Sequence, residues 1–380
     1  MNVNRILMVL FALAASLALN ACGGDGGLEG ASTDVSHETA AASGEPSGDL
    51  TISNWPFYVD KKTIPEFQDE TGIQVKYVED VNSYEEFFAK MQPLLSQGES
   101  GGRSLMVASD WLAKRMYDLG YIQKLDQDAI APALQNLNPV ASQGGDPDHQ
   151  YSIPWQGGMT GLIVNTNEAP DLTSVNDLLD DPQYKGRVEI VSEMREVVPL
   201  FMKGAGIDPE SATKQDWLDT IDRLEQARDA GQIRRITGND YAKDLATGDA
   251  AAVVGWAADA YQLQADNPDL EWVMPDEGCI LWWDNWVIPT GAPNPTAAYE
   301  WIRYTDEPKN QAQISAWTAS ITPVEGVQPI LEKTAPDLAK SELIFPSADY
   351  TAKCSPSLSP PGSKQDEQEV EKAWSALTVG

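Results

Sequence analysis

From Asp49 onward, short apolar runs alternate with segments whose apolar residues recur at helical spacing. Strands are predicted for the apolar runs at 50–53, 75–78, 105–108, 161–164, 188–191 and 251–254. Alternating strands and helices indicate an α/β fold with mostly parallel sheets that are flanked by helices. In such sheets ligands bind beyond the carboxyl ends of the strands, so the residues that follow the strands are the candidates for a site.

The start of one helix is marked clearly in the sequence. Ser83 and Glu86 have the spacing of a capping box, and Phe87 and Met91 follow on one apolar face. We therefore expect a helix to begin directly after Ser83.

The N-terminus has the pattern of an export signal. Arg5 precedes an apolar run at 6–19 that is too short to span a bilayer comfortably but fits the core of a signal peptide. A signal peptide is therefore predicted at 1–21, which places the mature protein outside the cytoplasm, in the periplasm or its equivalent.

The residues after the signal peptide predict a lipid anchor and a tether. The run at 19–22, Leu-Asn-Ala-Cys, resembles a bacterial lipobox, which implies that Cys22 becomes the lipid-carrying N-terminus. The alternative is an ordinary signal peptide beside an incidental cysteine. Residues 22–48 are rich in Gly, Ser, Thr and Ala and predict a flexible tether, so the membrane is expected to be contacted through the N-terminal lipid only.

The charge narrows the choice of partner. The net charge of −32, from 58 acidic and 26 basic residues, argues strongly against nucleic acid, because no basic patch could neutralise phosphates. Cationic partners are favoured, although much of this charge must form a solvated acidic surface. Roughly 330 residues follow the predicted tether, enough for two lobes with their own cores.

Two cysteines remain after the predicted lipid site, in a chain that is exported to a compartment permitting disulfides. Cys279 and Cys354 are expected to form a disulfide, and two free buried thiols are the alternative.

The most informative candidate site lies in the apolar run at 277–286. Trp282, Trp283 and Trp286 surround the single carboxylate of Asp284. Indole faces attract ammonium groups, and a buried acid is costly unless a positive group pairs with it. The run therefore suits an organic cation, and a core strand with a satisfied Asp is the alternative.

Three more segments that follow predicted strands carry acids or rings. Glu193 and Glu196 are three residues apart, which places both on one face of a helix start, although for this pair taken alone capping of that helix is the favoured explanation. Trp256 precedes Asp259 by the same spacing. Rings also follow the first strand, at Trp55, Phe57 and Tyr58.

Taken in order, these segments resemble the polyamine-binding proteins of bacterial ABC importers, the spermidine and putrescine receptors of the type II periplasmic-binding-protein family. The resemblance rests on Asn54-Trp55, Thr-Gly-Ile-Gln-Val at 71–75, Tyr-Ser-Ile-Pro at 151–154, Arg-Glu-Val at 195–197, Gly-Trp-Ala-Ala-Asp at 255–259, and Glu-Gly at 277–278 leading to Trp282 and Asp284.

This resemblance implies a two-lobed α/β fold with a hinge of crossing strands. Residues 49–158 and 283–328 would form lobe 1, and residues 159–282 and 329–380 would form lobe 2. The ligand would be a small cation of the polyamine class, and the partner would be an ABC transporter permease. A monomer is expected, without cofactor or metal.

The resemblance also implies roles for single residues. Trp55, Tyr58, Trp256 and Trp282 would box the methylene chain of the ligand. Ser109 and Trp111 would line the cleft. Glu196 and Asp284 would hold the amines, helped by Glu193 and Asp259.

The chain departs from the family pattern at three positions. Phe57 stands where the family usually has an acid, Ser320 where spermidine receptors often have an aromatic residue, and Cys279 where glycine is common. Ligand length is therefore left open, and a monoamine or quaternary ammonium using Trp283 and Trp286 is a second possibility for the same fold.

Catalysis is the remaining alternative, because paired acids can perform acid–base chemistry. The chain has only two histidines, His37 and His149, and lacks both a Gly-x-Ser-x-Gly motif and a Cys/His spacing typical of metal sites. The sequence therefore predicts a binding protein and not an enzyme.

Overall fold

The structure of the protein is a computed structural model that describes residues 37–139, 141 and 144–379. The predicted signal peptide, the lipid site at Cys22 and the first part of the predicted tether lie outside the described residues. Contacts divide the chain into units 1–34 and 35–380, and every described residue belongs to the second unit. None of the helices in the described ranges is both long and apolar enough to cross a bilayer.

The strands that we number within the described residues are β1 (Thr39–Ala40), β2 (Asp49–Asn54), β3 (Gln74–Glu79), β4 (Leu105–Ser109), β5 (Lys124–Leu125), β6 (Ile153–Asn165), β7 (Val188–Val191), β8 (Ile233–Thr237), β9 (Ala252–Trp256), β10 (Leu270–Val273), β11 (Ile280–Val287) and β12 (Ser355–Pro356). The helices are α1 (Thr63–Thr71), α2 (Tyr84–Leu95), α3 (Asp110–Asp118), α4 (Gln127–Leu134), α5 (Val175–Asp180), α6 (Met194–Gly204), α7 (Lys214–Asp229), α8 (Tyr241–Thr247), α9 (Ala257–Leu263), α10 (Pro295–Thr305), α11 (Pro308–Thr318), α12 (Val327–Thr334) and α13 (Lys364–Val379).

The main sheet has the strand order β3-β2-β4-β11-β6-β9-β7-β8, with β10 paired to β6 and β12 paired to β11. Strands β4, β6 and β9 are buried along their whole length. Strands that are covered on both faces have continuous apolar runs, which is why most of them could be predicted from the sequence.

The expectation of mostly parallel pairing holds only for the outer parts of the sheet. Strand β2 pairs in parallel with β3 and β4, and β7 pairs in parallel with β8 and β9. In the centre, β11 runs antiparallel to β4 and β6, and β6 runs antiparallel to β9. The long strands β6 and β11 therefore join two parallel regions through an antiparallel centre.

The last part of the predicted tether contacts the folded body. Residues 39–40 form β1, which pairs in parallel with β5. Ala40 is buried, and its carbonyl oxygen accepts a hydrogen bond of 2.7 Å from the hydroxyl of Tyr299. The side chain of Asn294 donates to the carbonyl of Ser47 at 2.8 Å. Composition alone did not predict this, because two paired residues change a segment's composition very little.

Cys279 and Cys354 form a disulfide across 75 residues of sequence. The bond lies beside the short β11–β12 pairing, in which Ile280 is opposite Ser355. It therefore attaches the segment after α12 to the strand that carries Trp282 and Asp284.

Reduction of this disulfide is expected to lower the free energy of unfolding by about 4 kcal/mol, because closing a long loop restricts the unfolded chain. The measurement is denaturant unfolding with and without reductant. The control is the double variant Cys279→Ala and Cys354→Ala, whose unfolding should not respond to reductant. Equal stability of the oxidised and fully reduced wild-type protein would contradict the expectation.

Candidate ligand-binding site

A cavity lies at the ends of β2 and β9 and against the middle of β11, where the sequence predicted a site. Its lining consists of Trp55, Pro56, Phe57, Tyr58, Tyr84, Glu196, Asn239, Trp256, Ala258, Asp259, Gln262, Trp282 and Asp284. Seven of the ten residues predicted for ligand binding are in this set: Trp55, Tyr58, Glu196, Trp256, Asp259, Trp282 and Asp284.

Asp284 is the acid on β11 and is only 4% exposed. Its two carboxylate oxygens accept hydrogen bonds from different tyrosine hydroxyls, Tyr58 at 2.9 Å and Tyr84 at 2.5 Å. Burial raises the pKa of Asp284 to about 7, and the two tyrosine hydrogen bonds oppose that rise. The carboxylate is therefore fixed in position by neutral donors and is available to a cation.

Glu196 lies in the first turn of α6 and is also buried. One of its oxygens accepts hydrogen bonds from the hydroxyl of Thr160 and, at 2.9 Å, from the indole nitrogen of Trp256. Burial raises its pKa to about 8, although both hydrogen bonds favour the charged form. Glu196 is thus a second oriented acid whose charge has only neutral partners.

Asp259 is the third acid of the cavity and lies on α9, one turn after Trp256. It accepts hydrogen bonds from Asn239 at 2.8 Å and from the hydroxyl of Tyr241 at 2.6 Å. Burial raises its pKa to about 6. All three acids are therefore costly to ionise while the cavity contains no cation.

The protein supplies no cation to these acids within the described residues. Arg195 precedes Glu196 and is 2% exposed, but its guanidinium pairs with Glu367 at 2.7 Å and with Glu371 at 2.8 Å on α13. The same guanidinium lies 3.9 Å from the ring centroid of Trp111. The charge of Arg195 is thus paired with acids on α13 and not with the acids of the cavity.

Aromatic rings form much of the cavity wall. The rings of Trp55 and Trp256 meet edge to face with centroids 5.2 Å apart, and those of Trp256 and Trp282 do so at 6.5 Å. Gly158 is opposite Trp282 in the β6–β11 register, and a Cβ atom there would lie 2.2 Å from the indole. Glycine at this position therefore gives the Trp282 ring the space it occupies.

Three predicted ligand residues lie outside the cavity lining. Glu193 is 2% exposed and accepts a hydrogen bond of 2.9 Å from the backbone N–H of Tyr84. Ser109 and Trp111 instead line a second cavity, together with Trp283. Trp282 is the residue that lines both cavities.

The rings that were considered for a quaternary ammonium do not surround the ligand cavity. Trp286 is fully buried and packs against Trp155 with centroids 4.6 Å apart. Trp283 faces the second cavity and contacts Gly157.

Of the residues that depart from the family pattern, one lies at the cavity mouth and another lies away from the cavity. Phe57 lines the cavity mouth, is 60% exposed and has a φ of 59°. Its carbonyl accepts a hydrogen bond of 2.9 Å from the indole of Trp317. Ser320 is buried and is not part of the cavity lining. Residue 57 therefore brings a ring, without a charge, to the entrance.

Several site residues escaped the sequence analysis: Tyr84, Thr160, Asn239, Tyr241 and Gln262. Tyr84 follows the predicted helix cap at Ser83, and the cap indicated only that a helix begins there. Thr160 and Asn239 come from elements far away in sequence. A signal for Tyr84 was available in principle, because the first residue of a helix that follows a strand points toward the strand ends.

Within the described residues, no group of three or more His, Cys, Asp or Glu side chains is arranged to hold a metal ion. The cavity instead offers oriented acids and aromatic walls at the strand ends of an α/β sheet, the arrangement of a protein that binds a small solute. The class that this fold and site define is the two-lobed solute-binding protein.

The profile of the bacterial extracellular solute-binding proteins matches residues 62–345, and the chain belongs to that family. It is 27% identical over 320 residues to spermidine/putrescine-binding periplasmic protein 1 of Haemophilus influenzae, covering 83% of this chain and 86% of that protein. It is 29% identical over 327 residues to the putrescine-binding periplasmic protein of Escherichia coli, covering 80% and 85% of the two chains.

A solved structure from Listeria monocytogenes, provisionally described as a spermidine/putrescine ABC transporter, matches with a TM-score of 0.75 and 26% identity. The match covers 87% of this chain and 99% of that one. These likenesses confirm the predicted resemblance and the two-lobed α/β fold. The family consists of solute-binding proteins, in agreement with the prediction that the chain is not an enzyme.

Proposed function

We propose that this protein captures a polyamine of the putrescine/spermidine class between two lobes and delivers it to an ABC transporter permease. The observation that carries the proposal is the set of acids at the cavity, the buried Asp284 and Glu196 and the half-buried Asp259. They have neutral hydrogen-bond donors and, within the described residues, no cationic partner. A ligand with separated ammonium groups supplies the missing charge, and the relatives whose names specify spermidine or putrescine support this class.

The acids come from opposite sides of the proposed lobe boundary. With lobe 1 formed by 49–158 and 283–328, Asp284 belongs to lobe 1. With lobe 2 formed by 159–282 and 329–380, Glu196 and Asp259 belong to lobe 2. A ligand with an ammonium at each end would therefore contact both lobes at once, which favours the closed arrangement over the open one.

The indoles complete this binding mode. Trp55, Trp256 and Trp282 line the same cavity as the acids. There they would cover the methylene chain of an aliphatic amine and exclude water from the ion pairs. Exclusion of water strengthens the attraction between each ammonium and its carboxylate. Only the closed, liganded form would then engage the permease productively.

For the N-terminus we propose cleavage after residue 21 and lipid attachment at Cys22. Bacterial lipoproteins carry more than one acyl chain, which gives stable attachment to a membrane. The folded unit would act as a monomer in the periplasm, which the names of both relatives specify. Mass measurement of the purified mature chain tests the cleavage and the lipid attachment, because each changes the mass of the chain by a defined amount.

The proposed ligand class is tested by thermal unfolding of the unlipidated chain, from Gly23 onward, with putrescine, cadaverine, spermidine, spermine, choline and glycine betaine. A ligand at a hundred times its Kd should stabilise the protein by roughly 2.7 kcal/mol. We expect shifts with the polyamines and none with choline or glycine betaine. Shifts only with the methylated amines would assign the cavity to quaternary ammonium ligands, and no shift at all would contradict the proposal.

A further inference from the structure

Tyr84 lines the cavity and is hydrogen-bonded to two acids. Its hydroxyl donates to Asp284 at 2.5 Å, while its backbone N–H donates to Glu193 at 2.9 Å. One residue therefore occupies the space between two acids that were both expected to hold ligand amines. Its side chain is almost fully buried, at 3% exposure.

The ring of Tyr84 also separates two groups of aromatic residues. It meets Trp55 edge to face at 5.0 Å between centroids, and it meets Trp111 in the same way at 6.5 Å. Trp55 lines the ligand cavity and Trp111 does not. Tyr84 thus lies at the inner limit of the cavity, with Trp111 and Glu193 behind it.

We propose that Tyr84 is the inner end wall of the ligand cavity and thereby determines the length of amine that this protein prefers. The inference rests on the proposed polyamine function. A short diamine fits between Asp284 and the acids of the opposite lobe. The further amine of a triamine cannot reach Glu193 past the tyrosine and must point toward the mouth, near Phe57 and Gln262.

The physical basis of this selectivity is exclusion. A side chain that fills a subsite rejects the longer ligand by clash and leaves contacts to the shorter one intact. The extra amine at the mouth is partly solvated and gains little from its neighbours, because exposed ion pairs contribute little. The wild-type protein should therefore bind spermidine no more tightly than putrescine.

The test compares the Kd values of putrescine and spermidine for the wild-type chain, Tyr84→Ala and Tyr84→Phe by isothermal titration calorimetry. In Tyr84→Ala the ratio of the two Kd values should shift toward spermidine by about tenfold or more, since the enlarged cavity reaches Glu193. Tyr84→Phe keeps the ring and removes the hydroxyl. It should weaken both ligands together and leave their ratio unchanged.

A second substitution identifies the newly reached acid. Glu193→Gln added to Tyr84→Ala should abolish the shift toward spermidine, because the added amine loses its carboxylate. Two results would overturn the role of Tyr84 and leave the proposed function intact. One is a wild-type protein that prefers spermidine tenfold, and the other is an unchanged ratio of the two Kd values in a folded Tyr84→Ala variant. Wild-type protein that binds neither amine would overturn the proposed function as well.

Discussion

Asp284→Asn is expected to weaken polyamine binding by about 2–5 kcal/mol, which is from roughly thirtyfold to several thousandfold in Kd. The amide cannot neutralise an ammonium group that has left water, so the buried ligand charge stays unpaired. The substitution keeps the size of the side chain, and its oxygen can still accept from Tyr58 or Tyr84. Calorimetric titration with putrescine measures the loss.

The same variant should be at least as stable as the wild-type protein when no ligand is present. Burial raises the pKa of Asp284 to about 7, so ionising this carboxyl in the empty cavity opposes folding at neutral pH. Unchanged or higher unfolding temperature together with lost affinity is the pattern of a residue kept for binding. A fall in both stability and affinity would instead indicate a structural carboxylate.

Asp306→Asn is the matched control. Asp306 follows α10 and is completely buried, and neither of its carboxylate oxygens has a hydrogen-bond partner among the described residues. Burial raises its pKa well above the usual value, as it does for Asp284. It is not part of the cavity lining, so its substitution should leave the putrescine Kd unchanged. Equal losses from both substitutions would show that the effect at 284 is not specific to the site.

Polyamine affinity is expected to rise steeply between pH 5 and pH 8. In the empty cavity burial raises the pKa of Glu196 to about 8, that of Asp284 to about 7 and that of Asp259 to about 6. Protons therefore compete with the ammonium groups, and binding must release them. Each proton released changes Kd by about tenfold per pH unit below the pKa of its group.

The stability of the empty protein should change in the opposite direction. Unfolded carboxyl groups have a pKa of roughly 4, and folding raises the pKa values of these three acids above it. Below about pH 4 the acids are neutral in both states, so their favourable contribution to the free energy of unfolding is complete there. It is lost as the pH rises through 6, 7 and 8. The unfolding temperature without ligand should therefore decline over this range because of these groups, while the shift caused by ligand grows.

Titration calorimetry at several pH values, in buffers with different ionisation heats, counts the protons that are released on binding. We expect net release near pH 6 and progressively less above pH 8. A Kd that is constant from pH 5 to pH 8, without proton release, would show that the acids are already ionised in the empty cavity. Glu196→Gln should reduce the proton release, which assigns part of it to that carboxyl.

The rise of affinity with pH and the fall of ligand-free stability together explain why the site is built from hydrogen-bonded acids. Tyr58, Tyr84, Thr160 and Trp256 orient the carboxylates without neutralising them. Paired arginines would stabilise the empty protein but would also compete with the ligand. The cost of burying the acids is thus offset when a cation arrives.

Much of the fold could be predicted from local patterns in the sequence. The continuous apolar runs of β4 and β9 marked strands that are buried on both faces. The helix cap at Ser83 was also correctly located, since its side chain accepts from the backbone N–H of Glu86. The antiparallel centre was missed because strand direction depends on how distant strands pair and not on the composition of either strand.

By itself, the sequence determined the α/β class and the family. It also predicted seven of the residues that line the cavity, because they lie at strand ends or in the aromatic and acidic run of β11. Only the tertiary structure decided which of the predicted acids share one cavity. Glu193 and Glu196 are three residues apart, yet Tyr84 from another helix covers the first and leaves the second open. Contacts between elements distant in sequence set the depth of the cavity, and no local pattern specifies them.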